Sequence, residues 1–176
     1  LIFVEKIAEV DIDYLKTIMT VEEALHVRMV CHEAIAELKK RQSEVLDKVV
    51  YKHIWVMDLA GIKWSSFTHD VRDALHKILK MCIEQYSDTL YIIIMINTPV
   101  IFRMVYKGAS LVIKPATRKK VRMLGPTKHP ATYEAFRKLG VTRENAPPCA
   151  GGTNKGVDIL DLVQMYSKEF KRRKKH

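Results

Sequence analysis

Basic side chains are the most chemically directed feature of this sequence, because they are not spread evenly along it. Lys114, Arg118, Lys119, Lys120, Arg122 and Lys128 occupy one stretch with no acid between positions 114 and 128. A second run holds Lys168, Lys171, Arg172, Arg173, Lys174 and Lys175 against Glu169 alone. The formal net charge of +10 comes from these two places, and the rest of the chain is nearly neutral. Charge concentrated in this way argues for anionic partners at defined positions. Nucleic acid is one such anion, but it would require basic residues interleaved with exposed aromatics, and near the tail only Tyr166 and Phe170 qualify. A membrane surface fits better, since each basic residue near anionic lipid contributes up to roughly 1 kcal/mol.

The remaining reactive residue types form no catalytic or metal-binding pattern. His26 and His32 lack ligand spacing, and His69 and His76 are seven apart on one helical stretch, a poor pair for a metal. His129 and Cys149 stand in loops without partner residues. Cys31, Cys82 and Cys149 are too scattered for a disulfide framework or a CxxC site, which suits a reducing compartment. Asp58 ends a strand, yet no nucleophile elbow, phosphate-binding glycine loop or HExxH accompanies it. The expectation is a protein without catalytic residues, metal or resident cofactor.

These residues must be positioned by a modest number of elements. With 176 residues, 48% hydrophobic and 28% charged, the chain suits one compact domain with a sizeable core. It opens on Leu1-Ile2-Phe3-Val4 without an initiator Met or a signal-peptide pattern, which reads as part of a longer chain. Leu1 to Glu5 is β-like, and Asp11 to Met19 suits a short helix. Thr20-Val21-Glu22-Glu23 is a capping box opening a long helix with Ala24, Val27, Cys31, Ala34 and Leu38 as its apolar stripe. Val49 to Leu59 reads as a strand closed by a turn at Gly61. Asp70 to Tyr86 is amphipathic through Val71, Leu75, Ile78, Cys82 and Tyr86.

Leu90 to Ile96 is the longest apolar run. It is far short of the ~20 residues of a spanning helix, and its lack of alternation predicts a strand covered on both faces. Thr98-Pro99 stops it, and Pro99 suits the first turn of a helix reaching about Ile113. A short strand from Lys120 to Leu124, a helix from Thr132 to Leu139 ending at Gly140, a loop with Pro147-Pro148 and Gly151-Gly152, and a last helix from Asp158 to Phe170 complete the chain. Strand and helix alternation gives an α/β class, with about 4–5 mainly parallel strands flanked by helices.

Three segments give this pattern a family likeness. Ile54-Trp55-Val56-Met57-Asp58-Leu59-Ala60-Gly61 is a strand ending in D-x-x-G. Ile96-Asn97-Thr98-Pro99 closes the next strand, followed by an apolar helix and Pro115-x-Thr117-x-x-Lys120. Ala146-Pro147-Pro148-Cys149-Ala150-Gly151-Gly152 ends the series. Residues 50 to 152 thereby resemble the CRAL-TRIO lipid-binding domain, the module of phosphatidylinositol transfer proteins and of tocopherol- and retinal-binding proteins. Residues 1 to 49 are similar to the start of that domain, without the helical segment that usually precedes it.

The resemblance implies a lipid pocket between the sheet and a mobile gate helix at Val100 to Ile113. It implies headgroup contacts from Asp88, Thr117 and Lys120, which tips the expected cargo toward phosphatidylinositol or a related phospholipid. Acyl-pocket residues are then Ile94, Ile96, Val100, Phe102, Met104, Val105 and Tyr106. Arg103, Lys107, Lys171, Arg172 and Arg173 would meet the membrane surface. The corresponding expectation is a cytoplasmic, peripherally membrane-associated lipid carrier or sensor, with residues 1–165 as its single domain and 166–176 as a basic tail. The alternative is a regulatory protein-interaction module of the same fold that transfers no lipid. Pairing of two copies through the exposed first strand is a further expectation.

Overall fold

The computed structural model describes residues 1–62, 65, 68–110 and 113–173, with positions 75, 79, 83, 101, 105, 109 and 169–173 given by backbone alone. Its centre is a parallel sheet of four strands: β1 (Ile2–Lys6), β2 (His53–Asp58), β3 (Leu90–Ile96) and β4 (Val121–Met123). Their spatial order is their order in sequence, β1-β2-β3-β4. Each crossover is helical: α1 (Ile12–Ile18) and α2 (Val21–Leu46), then α3 (His69–Tyr86), then α4 (Val100–Ala109) and α5 (Pro115–Arg118). After β4 come α6 (Pro130–Arg137) and α7 (Ile159–Arg173), so that last helix runs through Tyr166 without a break.

This order has a geometric consequence. Right-handed crossovers that always step in one direction place their helices on one face of the sheet. The two cores follow suit. Trp55, Ile93 and Met95 form one with Cys82 of α3, and Phe102 of α4 packs against it. Val56, Ile92, Ile94 and Ile96 form the other with Phe136, Val141, Ala146 and Ala150, which all follow β4. The uninterrupted apolar run of β3 is therefore explained: alternate residues feed two different cores, at roughly 1.5–3 kcal/mol for each fully buried branched side chain.

Local signals account for the element ends. Thr20 Oγ1 accepts from the Glu23 backbone N–H at 3.2 Å, and Glu23 Oε2 accepts from the Thr20 N–H at 2.7 Å, which makes the capping box reciprocal. Pro99 caps α4 with its carbonyl, which accepts from Phe102 at 3.0 Å. Gly140 takes a left-handed φ of 74° after α6, and Val141 N–H closes back onto the Phe136 carbonyl at 3.2 Å. The buried residues of α2 are His32, Ala34, Ile35 and Lys39, whereas Val27 is exposed. The expected stripe is thus rotated, because α2 serves two neighbours: it packs on α3 and on α7. β2 starts at His53 and not at Val49, and Val49 and Tyr51 are exposed in the loop ahead of it.

The loop 146–154 folds back on itself, with Asn154 N–H donating to the Ala146 carbonyl at 3.0 Å. A Cβ on Gly152 would lie 2.0 Å from that carbonyl oxygen, a backbone atom with no room to yield. Gly152→Ala should therefore destabilise the fold by about 2 kcal/mol or more, read from urea unfolding. A variant as stable as the parent chain would show that this loop does not seal the second core.

Candidate functional site

The carboxyl ends of three strands converge on Asn97, which has a left-handed φ of 52°. Its Nδ2 donates to Asp58 Oδ1 at 2.7 Å, and its Oδ1 accepts from the backbone and hydroxyl of Thr127, each at 2.9 Å. Asp58 Oδ1 also accepts from Ala60 N–H at 3.0 Å, which shapes the turn through Gly61. Asp58 Oδ1 and Asn97 Oδ1 are both engaged in joining β2, β3 and the segment after β4. The D-x-x-G and I-N-x-P segments are therefore a structural lock, and they aim the chain from β3 into α4.

The other edge holds the residues expected at a headgroup. Asp88 sits in a 3-10 turn (Ser87–Thr89) ahead of β3, and Thr117 and Lys120 lie just ahead of β4. Parallel strands bring these segments to one edge, and Lys120 Nζ donates to the Ser87 carbonyl at 2.9 Å. An ammonium has three donors, so two remain for another acceptor. Thr117 is buried, and no protein partner for its hydroxyl occurs among the described residues. Asp88 is exposed.

The residues expected along the gate are divided. Phe102 packs against the core of Trp55, Ile93 and Met95, while Val100 and Met104 point largely to solvent, as do Arg103 and Lys107. Tyr106 is half-buried one turn after Phe102, and its hydroxyl is buried without a hydrogen-bond partner. Ile94 and Ile96 belong to the opposite core with Phe136, so Ile93 and Met95 are the β3 residues that share a face with α4. The Val105, Lys171, Arg172 and Arg173 side chains lie outside the described residues.

On the α4 side of the sheet the structure adds polar groups that sequence reasoning passed over. His53 is 1% exposed; among the described residues neither ring nitrogen makes a well-formed hydrogen bond, and the Thr89 backbone is the polar group beside it. Lys39, on α2, is 6% exposed and has no ion-pair partner among the described residues. Burial lowers its ammonium pKa from the ordinary value. His32 is stacked on Tyr86 at 4.3 Å between ring centres, meets Trp55 edge-on, and lies 3.4 Å from Cys82 Sγ. Beside them Glu5 holds Arg28 in an ion pair and accepts from Trp55 Nε1 at 3.2 Å. Burial pushes the Cys82 and Cys149 thiols up to about 11, which keeps them protonated and unreactive. The one sequence signal for this group was spacing: His32, Ile35 and Lys39 are i, i+3 and i+7, and His53 alternates with Trp55 and Met57.

A family model described as CRAL/TRIO domain matches residues 2–138. The chain belongs to the CRAL/TRIO domain family. Among curated proteins it is 24% identical over 152 residues to the phosphatidylinositol/phosphatidylcholine transfer protein SFH11 of Arabidopsis thaliana, covering 86% of this chain and 39% of that protein. It is also 24% identical over 138 residues to the phosphatidylinositol/phosphatidylcholine transfer protein SFH7 of the same plant, covering 77% of this chain and 25% of that one. This CRAL/TRIO chain thus spans well under half the length of either relative. Of solved structures it resembles that of Sfh5, at 20% identity and a TM-score of 0.47, over 63% of this chain and 37% of the other. No helix among the described residues is long and apolar enough to cross a membrane.

The buried histidines make the CRAL/TRIO core sensitive to acid. Desolvation lowers His32 and His53 from 6.5 to about 4, with Arg28 and Lys39 adding at His32, and Lys39 and then His32 adding at His53, where a hydrogen bond with the Thr89 backbone opposes the shift. The folded state therefore binds fewer protons than the unfolded chain between those values. Its stability is complete above pH 6.5 and is lost as pH falls toward 4, by up to about 3 kcal/mol per histidine. Urea midpoints should drop between about pH 7 and about pH 4.5, and His53→Leu should remove roughly half of that drop. An equally steep loss in His53→Leu would contradict a buried neutral imidazole at this position.

Proposed function

We propose that this domain is a carrier or sensor of a phospholipid, with phosphatidylinositol the favoured cargo, and that it exchanges its cargo at a membrane surface as α4 moves. The observation that carries the reading is a set of under-satisfied buried polar groups on the α4 side of the sheet among the described residues: the Tyr106 hydroxyl, and the His53 ring, where the Thr89 backbone can serve at most one nitrogen. Buried polar groups are normally hydrogen-bonded, and leaving one unpaired costs about 1–3 kcal/mol. An amphiphile enclosed here satisfies them while its chains lie against Trp55, Ile93, Met95 and Phe102. Lys39 supplies an internal positive charge on the same side.

The cost of moving such a cargo explains why a movable cover is needed. Two acyl chains of roughly thirty methylenes, at about 0.8 kcal/mol each, put on the order of 20 kcal/mol at stake when a lipid leaves a bilayer. A pocket that offsets this must be dry and closable, and a helix facing both core and solvent can serve both states. α4 has that character: Phe102 faces inward, while Val100 and Met104 are exposed beside Arg103 and Lys107. An outward face of apolar and cationic side chains suits a bilayer interface. At the other end of the strands, Lys120 offers two spare donors to a headgroup phosphate, Thr117 a hydroxyl, and Asp88 an acceptor for inositol hydroxyls. In this reading the domain carries out no chemistry on its cargo and works as a cytoplasmic protein that visits membranes peripherally.

Vesicle-to-vesicle transfer of phosphatidylinositol and phosphatidylcholine by the wild type, Lys120→Ala and Thr117→Ala tests the reading. Lys120→Ala should lower phosphatidylinositol transfer roughly tenfold or more, the worth of one charge-assisted hydrogen bond. Phosphatidylcholine transfer should be nearly unchanged. A wild type that transfers neither lipid would favour a protein-interaction module, and an equal loss of both lipids in Lys120→Ala would remove the headgroup assignment.

A further inference from the structure

We propose that the domain docks on an anionic bilayer through the amino edge of its sheet, the edge at which β2, β3 and β4 begin. This inference rests on the reading above only for the class of ligand, a phospholipid. Because the four strands are parallel and in sequence order, the segments that lead into them lie side by side. The Lys120–Ser87 hydrogen bond, at 2.9 Å, ties two of these entry segments together. The pairing of His53 with Leu90 sets the third next to them.

The corner from α2 into β2 exposes a run of large apolar side chains. Val45 is 84% exposed, Leu46 62%, Val49 84% and Tyr51 53%, and Tyr91 at the start of β3 adds a side chain 56% exposed. The corner is nevertheless well defined. Asp47 takes a left-handed φ of 46°, Lys48 N–H donates to the Ser43 carbonyl at 3.1 Å, and Val50 N–H donates to Ser43 Oγ at 2.8 Å. These bonds fix the backbone of the corner that carries Val45, Leu46 and Val49, all of them exposed.

Charge indicates the occupant. Lys48, Lys52, Lys114, Arg118, Lys119 and Lys120 lie on the entry segments, against Glu44, Asp47, Glu84 and Asp88. All of these cations except Lys120 are exposed. The opposite edge has the reverse balance on its β1–β2 side, where Glu9, Asp11, Asp13, Glu22, Glu23 and Asp58 face Lys6 and Lys16. A domain polarised in this way turns its amino edge toward a negative surface before contact. Exposed apolar residues ringed by lysine then match the interfacial layer of a bilayer, where the apolar tips enter and the cations meet phosphate. A protein groove would have to be both apolar and acidic to fit the same patch. Docking by this edge also puts the candidate headgroup residues, Asp88, Thr117 and Lys120, next to the lipid surface.

Co-sedimentation with phosphatidylcholine vesicles, with and without phosphatidylserine, reads this directly on the full chain. The wild type should bind the anionic vesicles and release them with added salt. Val45→Asp with Val49→Asp, and separately Lys48→Glu with Lys52→Glu, should each weaken that binding roughly tenfold or more. These positions are exposed, so circular dichroism and urea midpoints should match the wild type. Met104→Asp on α4 should weaken binding less than either edge pair. Wild-type binding by both edge pairs, or loss of binding in Met104→Asp alone, overturns the proposal. So does a wild-type dimer in sedimentation equilibrium that Val45→Asp with Val49→Asp dissolves, since the patch would then serve a second copy. Docking is measured without lipid transfer. Edge-dependent docking without transfer would remove the cargo reading and leave this surface in place; transfer with unaltered docking in the edge pairs would do the opposite.

Discussion

Asn97 is the constraint on which the arrangement turns. Its left-handed backbone bends the chain sharply out of β3, and its side chain reaches Asp58 on one side and Thr127 on the other. A left-handed conformation is disfavoured for most residues, and asparagine tolerates it better than any other type except glycine. The hydrogen bonds offset the remaining strain. Through them the carboxyl ends of β2 and β3 and the start of the path to α6 become one unit, and Pro99 is delivered to the first turn of α4. The helix over the sheet therefore has a fixed root.

The two faces of the sheet are closed to different degrees. Phe136, Val141, Ala146 and Ala150 cover one face with apolar side chains, and Gly152 allows the backbone to press close. The other face carries its own apolar core, and on the same side the Tyr106 hydroxyl and the His53 ring are buried and under-satisfied among the described residues. This asymmetry is the structural basis of the cargo proposed above.

Much of the frame was legible in the sequence because it rests on local rules. Thr20 and Glu23 announced the start of α2, Gly140 its counterpart after α6, and the unbroken run from Leu90 to Ile96 a strand covered on both sides. The family likeness, carried by the Asp58–Gly61 and Ile96–Pro99 segments, agrees with the family model that matches residues 2–138. What escaped were facts about which side of an element faces what. An unbroken apolar strand gives no hint of which alternate set faces α4, so Ile94 and Ile96 were indistinguishable from Ile93 and Met95. Lys39 and His53 were not singled out, because polar types are usually exposed. Only the third dimension shows that α2 lays one and the strand lays the other into the interior.

The most direct test of the account is the identity of what the purified domain holds. Gentle purification followed by native mass spectrometry, then organic extraction and lipid analysis of the same sample, reads it without assuming a cargo. The account predicts a complex of one chain with one phospholipid, enriched in phosphatidylinositol, whose occupancy falls when His53 and Tyr106 are replaced by Leu and Phe. An empty chain that stays folded and acquires no lipid after incubation with mixed phospholipid vesicles would contradict it.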